Sequence, residues 1–431
     1  EERDGQVFVA GRRKAEEPAS PAKQRPRSDA GPERVVIAGA GAAGTAAAIR
    51  LRAEGFGGRI TLLGADEEAP YDRPNLSKDY LAGTAEEAWM PLRPDGFYRD
   101  HGIDLVLGAR VAAIDPAARE VRTLKGESHP YDALLLATGS DPVRLPLATH
   151  GLKHVFYLRT MADARGVIAA AESARRAVVV GASFIGMEVA ASLRSRGLEV
   201  AVVAPGAPFE HVLGPEAGGF FRRLHERNGV AFHLGEAVAG ITASAVTLRS
   251  GRTLPAELVV VGIGVRPGVA LASWAGVRLE RDAVAVDEHL ATSVPGIYAA
   301  GDLVRWPDPR TGQLIRSEHW VVAERQGQTA AMNILGARER FDGVPFFWTA
   351  QYDATLRYVG HAEKGSRIDV AGSLDEMDCT LAYRGPGADG REQTLAVATL
   401  GRDRVALTAE LEMERLDWTA LSALVPAPGT A

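Results

Sequence analysis

Two glycine-rich turns, each lying between a predicted strand and a predicted helix, constrain the fold of this chain more than any other feature. The first, GAGAAG at residues 39–44, follows the apolar run Arg34–Ala38 and precedes an alanine-rich helix through Glu54 and a strand at Arg59–Leu63. In such a unit the first glycine permits a tight turn, the second lets the backbone approach a pyrophosphate, and the third packs the helix on the strand. The unit predicts a dinucleotide site where the free N–H groups of the helix N-terminus face the anion.

The same order of elements returns about 140 residues later. A strand is predicted at Ala177–Val180, a helix at Met187–Arg196 and a strand at Glu199–Val203, with the turn GASFIG at 181–186 after the first strand. Serine stands in place of the middle glycine, which makes the phosphate contact less direct than in the first unit. Because each unit needs a parallel sheet of its own, we predict an α/β protein with two Rossmann-like dinucleotide-binding domains.

The 431 residues suit about three domains. We predict that residues 33–142 and 257–335 form the first dinucleotide-binding domain and that residues 143–256 form the second. Beyond residue 336 the pattern becomes β-rich, with one loop at Gly385–Gly390 and a final helix, so residues 336–431 are predicted to form an α+β domain. Residues 1–32 are interpreted as the end of an upstream domain followed by a proline-rich and basic linker.

Composition excludes several classes of function. The single cysteine, Cys379, cannot form an intrachain disulfide, a dithiol redox pair, an all-cysteine zinc site or an iron–sulfur cluster with other cysteines of this sequence. Redox chemistry would therefore need an organic cofactor, and we predict no metal site. A net charge of −6 provides no positive field for nucleic acid.

Neither a membrane span nor a signal peptide is expected from the residues of this sequence. No run approaches the roughly 18 apolar residues of a membrane span, and the acidic start has no signal-peptide core. We expect a cytoplasmic protein without membrane contact, and the missing initiator methionine suggests that the true N-terminus lies upstream.

Two dinucleotide sites in one chain normally hold a flavin and a nicotinamide, because hydride transfer needs the donor and acceptor carbons about 3–3.5 Å apart. At this point four ordered motifs resemble those of the FAD-dependent ferredoxin reductases of oxygenase systems, and most closely their apoptosis-inducing factor-like branch. The motifs are PYDRPNLSK at 70–78, ATG at 137–139, GASFIGME at 181–188 and YAAGD at 298–302. The resemblance covers about residues 33–425 and implies a glutathione reductase-like arrangement of FAD and NAD(P) domains.

The resemblance also implies the functional residues. Lys78 and Glu188 would be the catalytic pair at the junction of flavin and nicotinamide, where a lysine stabilises negative charge developing on the reduced ring; the alternative is an exposed ion pair between two helices. A tryptophan in an apolar run such as that of Trp348 is more often a core residue, and the resemblance implies instead that it lies against the flavin. The resemblance also implies that Arg266 and Pro267 flank the nicotinamide; the alternative is a strand end followed by a turn. The implied FAD contacts are Gly39, Gly41, Ala43, Gly44, Asp66, Arg73, Lys78, Thr138, Gly139, Gly301, Asp302, Glu318, His319, Trp320 and Trp348, and the implied NAD(P) contacts are Gly181, Ser183, Ile185, Gly186, Glu188, Gly262 and Gly264.

The residues that normally select the coenzyme differ from the usual pattern. After the strand ending at Val203, where an acid would accept a ribose hydroxyl and select NAD, the chain has Ala204, Pro205 and Gly206, with no arginine for a 2′-phosphate. The sequence does not select between NADH and NADPH, and we favour NADH. In the first unit the acid is displaced as well, and we choose Asp66.

The resemblance predicts a reductase that takes a hydride from NAD(P)H onto FAD and passes single electrons to a ferredoxin or Rieske iron–sulfur protein. Related peroxidases carry a reactive cysteine after a similar Leu-Ser dipeptide, whereas Lys78 stands there in this chain. The segment DGQVFV at 4–9 is similar to the closing strand of a Rieske domain whose partner strands and ligands are missing, so the acceptor could be fused upstream; the alternative is a stray extended segment. A rival function is an apoptosis-inducing factor-like flavoprotein in which NAD(P)H acts mainly as a conformational signal. The protein is expected to be a monomer or a homodimer.

Overall fold

The computed structural model describes residues 31–149 and 151–424, with the backbone of two short antiparallel strands at Glu2–Arg3 and Gln6–Val7. The expectation that the strand near residue 6 has no partner in this chain is therefore wrong, and the rest of the predicted strand lies outside the described residues. Two five-stranded sheets, parallel throughout, contain the two glycine-rich turns. In spatial order the first sheet comprises Ile297–Ala299, Ala133–Leu136, Arg34–Ala38, Arg59–Leu63 and Ile103–Val106, and the second Val155–Tyr157, Leu258–Val261, Arg176–Val180, Glu199–Ala204 and Val230–Leu234.

The helices of the described ranges are labelled in chain order. They are α1 (Ala42–Ala53), α2 (Asp79–Ala82), α3 (Phe97–Asp100), α4 (Met161–Ser173), α5 (Phe184–Ser195), α6 (Glu210–Arg227), α7 (Ala270–Trp274), α8 (Trp320–Ile334), α9 (Asp403–Arg415) and α10 (Trp418–Leu424), with short 3-10 helices at Arg73–Ser77 and Glu87–Trp89. None of the helices in these ranges is long and apolar enough to cross a membrane.

Both predicted units are present, and the largest boundary error is at the start of the second helix, the other bounds agreeing within one residue. In the first unit the strands match the predicted bounds, and α1 ends one residue before Glu54. In the second unit α5 begins at Phe184, three residues before the predicted Met187. The reason is a helix cap: the Ser183 hydroxyl accepts a hydrogen bond from the backbone N–H of Gly186, so the turn is already the first turn of the helix.

A third, antiparallel sheet follows α8. Its spatial order is Phe346–Gln351, Ala354–Gly360, Glu392–Leu400, Asp378–Pro386 and Arg367–Ser373, and α9 and α10 pack against it. The predicted loop is shorter than expected, because the strand continues through Pro386 and the hairpin is closed by a hydrogen bond from Gly387 N–H to the Arg391 carbonyl. The mixed α/β fold class is thus confirmed.

Small β-elements complete the described structure. Antiparallel three-stranded sheets are formed by Val111–Asp115, Glu120–Thr123 and Ser128–Pro130 and by Val238–Ile241, Ala245–Leu248 and Thr253–Pro255, a mixed four-stranded sheet by Leu279–Glu280, Ala283–Ala285, Val304–Pro307 and Leu314–Ile315, and a two-stranded ladder by Ser140–Pro142 and Val265–Pro267.

The hydrophobic cores explain how the sheets are held together. One buried cluster joins the first sheet to α1 and α8. A second cluster is shared by the second sheet, the third sheet and the segment that follows Tyr71 in the first unit. Because this segment carries Lys78, the shared core places it beside α5 and the third sheet.

Candidate functional site

A cavity of about 430 Å³ is lined by residues of both glycine-rich turns and by residues of the third sheet. Most of the predicted site residues meet there. Four of them do not line the cavity, namely Gly44, Gly181, Gly186 and Gly262. The predicted residues that line the cavity are Gly39, Gly41, Ala43, Asp66, Arg73, Lys78, Thr138, Gly139, Ser183, Ile185, Glu188, Gly264, Gly301, Asp302, Glu318, His319, Trp320 and Trp348.

The first turn leaves space for a ligand at one glycine only. A Cβ placed on Gly39, whose φ is +121°, would lie 2.1 Å from the carbonyl oxygen of Ala137, and one on Gly44 would lie 1.8 Å from the Gly39 oxygen. A Cβ on Gly41 would meet nothing within 4 Å. Gly41 is also the N-cap of α1 and no side chain caps that helix. The open space and the uncapped N–H groups fit the pyrophosphate of a dinucleotide.

The second turn has the same backbone and a different middle position. A Cβ on Gly181 would lie 2.2 Å from the Gly262 oxygen, and one on Gly186 would lie 2.3 Å from the Gly181 oxygen. Ser183 accepts from Gly186 N–H at 3.3 Å and donates its own proton to the Gly262 carbonyl at 2.7 Å. A dinucleotide can still reach the exposed face of this turn, since Ser183 and Ile185 line the cavity.

Arginine and aspartate side chains line the same cavity as the first turn. Arg73 and Arg110 line the cavity, and the Arg73 guanidinium lies 3.4 Å from Asp66. Asp66 also accepts a hydrogen bond from the Tyr71 hydroxyl at 2.8 Å, and burial raises the pKa of Tyr71 to about 12, which keeps that hydroxyl protonated. These cations favour a phosphorylated ligand in this part of the cavity.

Arg159 was missed by sequence reasoning. Its guanidinium lies 3.2 Å from Asp302, and it lines the cavity beside Gly139. It stands between the strand Val155–Tyr157 and α4, where a lone arginine carries no distinctive signal; only the fold brings it 143 residues along the chain to Asp302.

Lys78 and Glu188 form a buried ion pair rather than an exposed one. The Lys78 Nζ lies 2.9 Å from Glu188 Oε2, and the side chains are 15% and 5% exposed. The lysine also donates to the Pro74 carbonyl at 3.2 Å. Lys78 follows the 3-10 helix Arg73–Ser77 and Glu188 lies in α5, so the pair joins the two units at the cavity.

The N-terminus of α8 forms another wall of the cavity. Gly301 N–H donates to the Gln326 side-chain oxygen at 2.8 Å, which fixes the turn before Asp302 against this helix. The His319 ring stacks on Phe347 with centroids 4.3 Å apart, and desolvation, with a smaller effect of His361, lowers the pKa of His319 to about 3. His319 is therefore neutral at pH 7, so its ring can stack on an aromatic ring of a bound ligand as it does on Phe347.

Charge at the same wall is partly neutralised. Glu318 pairs with Arg316, while desolvation raises the pKa of the Glu318 carboxyl. Trp348 lines the cavity from the third sheet, so it is not a plain core residue. Arg266 is exposed and lies in the ladder opposite Asp141, next to lining residue Val265.

Comparisons with known proteins show which family this chain resembles. The profile of the family described as pyridine nucleotide-disulphide oxidoreductase matches residues 33–327. Apoptosis-inducing factor 3 of Mus musculus is 36% identical over 379 residues, which are 86% of this chain and 61% of that protein. Rhodocoxin reductase of Rhodococcus erythropolis is 38% identical over 347 residues, 79% of this chain and 81% of that protein.

A solved structure of a reductase has a similar fold over most of the chain. The reductase in the crystal structure of the covalent putidaredoxin reductase–putidaredoxin complex superposes with a TM-score of 0.83 at 33% identity, over 89% of this chain and 93% of that chain. This chain spans about three fifths of the length of apoptosis-inducing factor 3.

Proposed function

The chain belongs to the pyridine nucleotide-disulphide oxidoreductase family, and we propose that it is a flavoprotein reductase that takes a hydride from NAD(P)H onto FAD and passes single electrons to a ferredoxin-type iron–sulfur protein. FAD would lie along the first turn and the nicotinamide coenzyme along the second. When bound, FAD supplies a carrier that accepts two electrons together and releases them singly. The observation that carries the proposal is the buried Lys78–Glu188 pair between the two turns.

The cysteine content supports this branch of the family over its disulfide reductases. Cys379, the one cysteine in the sequence, is buried in the third sheet and does not line the cavity. Electrons would therefore leave from the flavin without a protein thiol as carrier.

The chain's own residues would act in three ways. Gly41 and the N-terminus of α1 would bind the pyrophosphate, with Arg73 and Arg159 nearby for charge. Lys78 would stabilise the negative charge that develops at the flavin, and Glu188 would hold the lysine in place. Trp348 and neutral His319 would cover the ring and keep water away.

The coenzyme, the electron acceptor and the location of the protein belong to the same proposal. We favour NADH, since no arginine stands immediately after Ala204 to hold a 2′-phosphate. A ferredoxin-type acceptor is supported by the relatives, one of which was crystallised with putidaredoxin. A Rieske centre fused upstream and a cytoplasmic location remain proposals, and the Rieske-like segment lies largely outside the described residues.

Anaerobic stopped-flow absorbance tests the proposal. The purified holoprotein is mixed separately with NADH and NADPH, and oxidised ferredoxin is then added. We expect rapid bleaching of the flavin, faster with NADH, and rapid reoxidation by ferredoxin. Slow bleaching without reoxidation would favour the second candidate function, an apoptosis-inducing factor-like flavoprotein in which NAD(P)H acts mainly as a conformational signal. The similarity to apoptosis-inducing factor 3 supports this candidate.

The role of Lys78 is tested by Lys78→Ala. We expect flavin reduction to slow about tenfold or more, because a charge-assisted interaction of roughly 1.5–3 kcal/mol is lost, while FAD stays bound. Lys125→Ala, at an exposed lysine away from the cavity, is the matched control. Equal rates in the two variants would contradict the assigned role.

A further inference from the structure

The Glu188 carboxylate receives hydrogen bonds from two separate parts of the chain. On Oε2 it accepts from the Ser77 hydroxyl at 2.6 Å and from Lys78 Nζ at 2.9 Å. On Oε1 it accepts from the Thr349 hydroxyl at 2.8 Å. Thr349 belongs to the strand Phe346–Gln351 of the third sheet, so this sheet contacts the ion pair directly.

The hydrogen-bonded chain continues away from the cavity. The Gln351 side-chain amide donates to the Thr349 oxygen at 2.9 Å, and Gln351 Oε1 lies 2.7 Å from His225 Nε2 on α6. Burial lowers the pKa of His225 to about 4, so its ring is neutral at pH 7 and carries a single N–H.

The direction of every bond in this chain is determined by its neighbours. Because the Thr349 proton is donated to the carboxylate, the Thr349 oxygen can only accept, so the amide nitrogen of Gln351 must face it. The Gln351 oxygen then faces His225 and requires the N–H of that ring at Nε2. Three donors in series therefore point toward the Glu188 carboxylate, and hydrogen bonds aligned in this way polarise one another.

All members of the chain are removed from solvent. Thr349 and His225 are 0% exposed, Gln351 is 1% exposed and Glu188 is 4% exposed. Burying a polar group is costly unless its hydrogen bonds are made. Apolar side chains would fill these positions without such a requirement, whereas the polar side chains present place their hydrogen bonds in line with the Glu188 carboxylate.

We propose that Thr349, Gln351 and His225 are positioning residues for Lys78: the aligned donors hold the Glu188 carboxylate in one orientation and compensate its charge, so that the lysine charge stays directed at the flavin. The inference rests on the proposed function and deepens it. It makes α6 and the third sheet part of the machinery that sets the flavin's affinity for electrons.

The variant Thr349→Val removes the donor at nearly constant side-chain volume. Because the Glu188 carboxylate then loses one hydrogen bond, its negative charge offsets more of the positive charge of Lys78. We therefore expect hydride transfer to slow about tenfold at unchanged KM. The same loss should lower the FAD midpoint potential. For a two-electron couple, a tenfold change in the equilibrium constant of reduction corresponds to about 30 mV. Thr349→Ser keeps the hydroxyl and should restore both values.

Thr399→Val is the matched control. Thr399 lies in the same sheet, is 0% exposed, and its hydroxyl finds no partner among the described residues. It should change neither the rate nor the potential. If Thr349→Val proves unstable, Gln351→Met removes the preceding donor and is measured in the same way, with a smaller decrease expected.

The potential is measured by dye equilibration with the holoprotein and needs no NAD(P)H turnover. A protein that fails to react with either coenzyme would overturn the proposed function, while the potentials of the variants would still test the positioning role. Potentials and rates of Thr349→Val and Gln351→Met equal to those of Thr399→Val would overturn the inference.

Discussion

The two glycine-rich turns of this molecule are nearly the same in backbone and differ at one position. Gly39 and Gly181 have φ values of +121° and +106°, and an added Cβ would strike a carbonyl oxygen in each. The third glycines, Gly44 and Gly186, each approach the carbonyl oxygen of the first. These contacts belong to the strand–turn–helix geometry itself, whatever the ligand.

The middle position separates the two turns. At Gly41 the helix N-terminus has no side-chain cap and open space above it, whereas at Ser183 the protein supplies its own cap. The first helix would need a ligand, or water, to satisfy its first N–H groups, and the second is already partly satisfied. The difference suits a cofactor that stays bound in the first unit and a coenzyme that exchanges in the second.

The largest expected effect comes from Gly41→Val. A Cβ at this position would meet no protein atom within 4 Å, and the valine side chain would occupy the space above the turn, so we expect FAD binding to weaken about 100-fold or more, roughly 3 kcal/mol, with the fold retained. Gly57→Val, at an equally open but exposed glycine, is the control. The measurement is flavin titration of the apoprotein followed by fluorescence; unchanged affinity would show that no phosphate lies at Gly41.

The third glycines should behave alike, in contrast to the middle ones. A Cβ would lie 1.8 Å from a backbone oxygen at Gly44 and 2.3 Å away at Gly186, so Gly44→Ala and Gly186→Ala should each lower the free energy of unfolding by about 2–3 kcal/mol. Denaturant unfolding of the apoprotein checks this. Stability equal to the wild type in either variant would mean that the close approach does not exist in that unit.

The sequence predicted the shared part of this comparison and missed what makes the units different. The strands Arg34–Ala38 and Arg59–Leu63 were predicted to the residue because apolar runs and glycine turns are local signals. The start of α5 was missed because Ser183 was interpreted as an altered phosphate contact, although serine is also a preferred helix cap. The predicted resemblance to ferredoxin reductases is confirmed by the relatives.

The contacts behind the site were less accessible to prediction. Arg159 and Thr349 reach Asp302 and Glu188 across 143 and 161 residues, and no local pattern specifies such pairs. A signal did exist at the strand Phe346–Gln351, where every second residue is buried and two of these, Thr349 and Gln351, are polar. Buried polar residues at period two indicate a partner on the facing element.

Burial lowers the pKa of His319, at the N-terminus of α8, and of His225, on α6. Below pH 6.5 both rings take up protons in the unfolded chain, whereas in the folded chain His225 does so only near pH 4 and His319 only near pH 3. The contribution of these neutral rings to the free energy of unfolding is therefore present above pH 6.5 and is lost as the pH falls. When the pH falls from 6.5 to 5, each histidine should lower the free energy of unfolding by about 1.5 kcal/mol.

The variant His225→Gln should remove about 1.5 kcal/mol of that loss, because the glutamine cannot take up a proton. His101→Gln, at an exposed histidine, serves as the control. Denaturant unfolding of the holoprotein at the two pH values gives the comparison. If the free energy of unfolding falls equally in the wild type and in His225→Gln, the acid sensitivity arises from residues other than His225.

The smallest effect is expected at Ser183, and it tests the comparison most directly. If Ser183 chiefly caps α5, then Ser183→Ala should lower the free energy of unfolding by about 1 kcal/mol and leave FAD content unchanged, with a KM for NAD(P)H within about threefold of wild type. Ser183→Gly should cost less stability than alanine, since glycine is tolerated at this position of a helix. A KM raised 100-fold in Ser183→Ala with normal stability would instead make the hydroxyl a direct ligand of the coenzyme. The two turns would then differ only in which group meets the phosphate, and exchange of the coenzyme would need another cause.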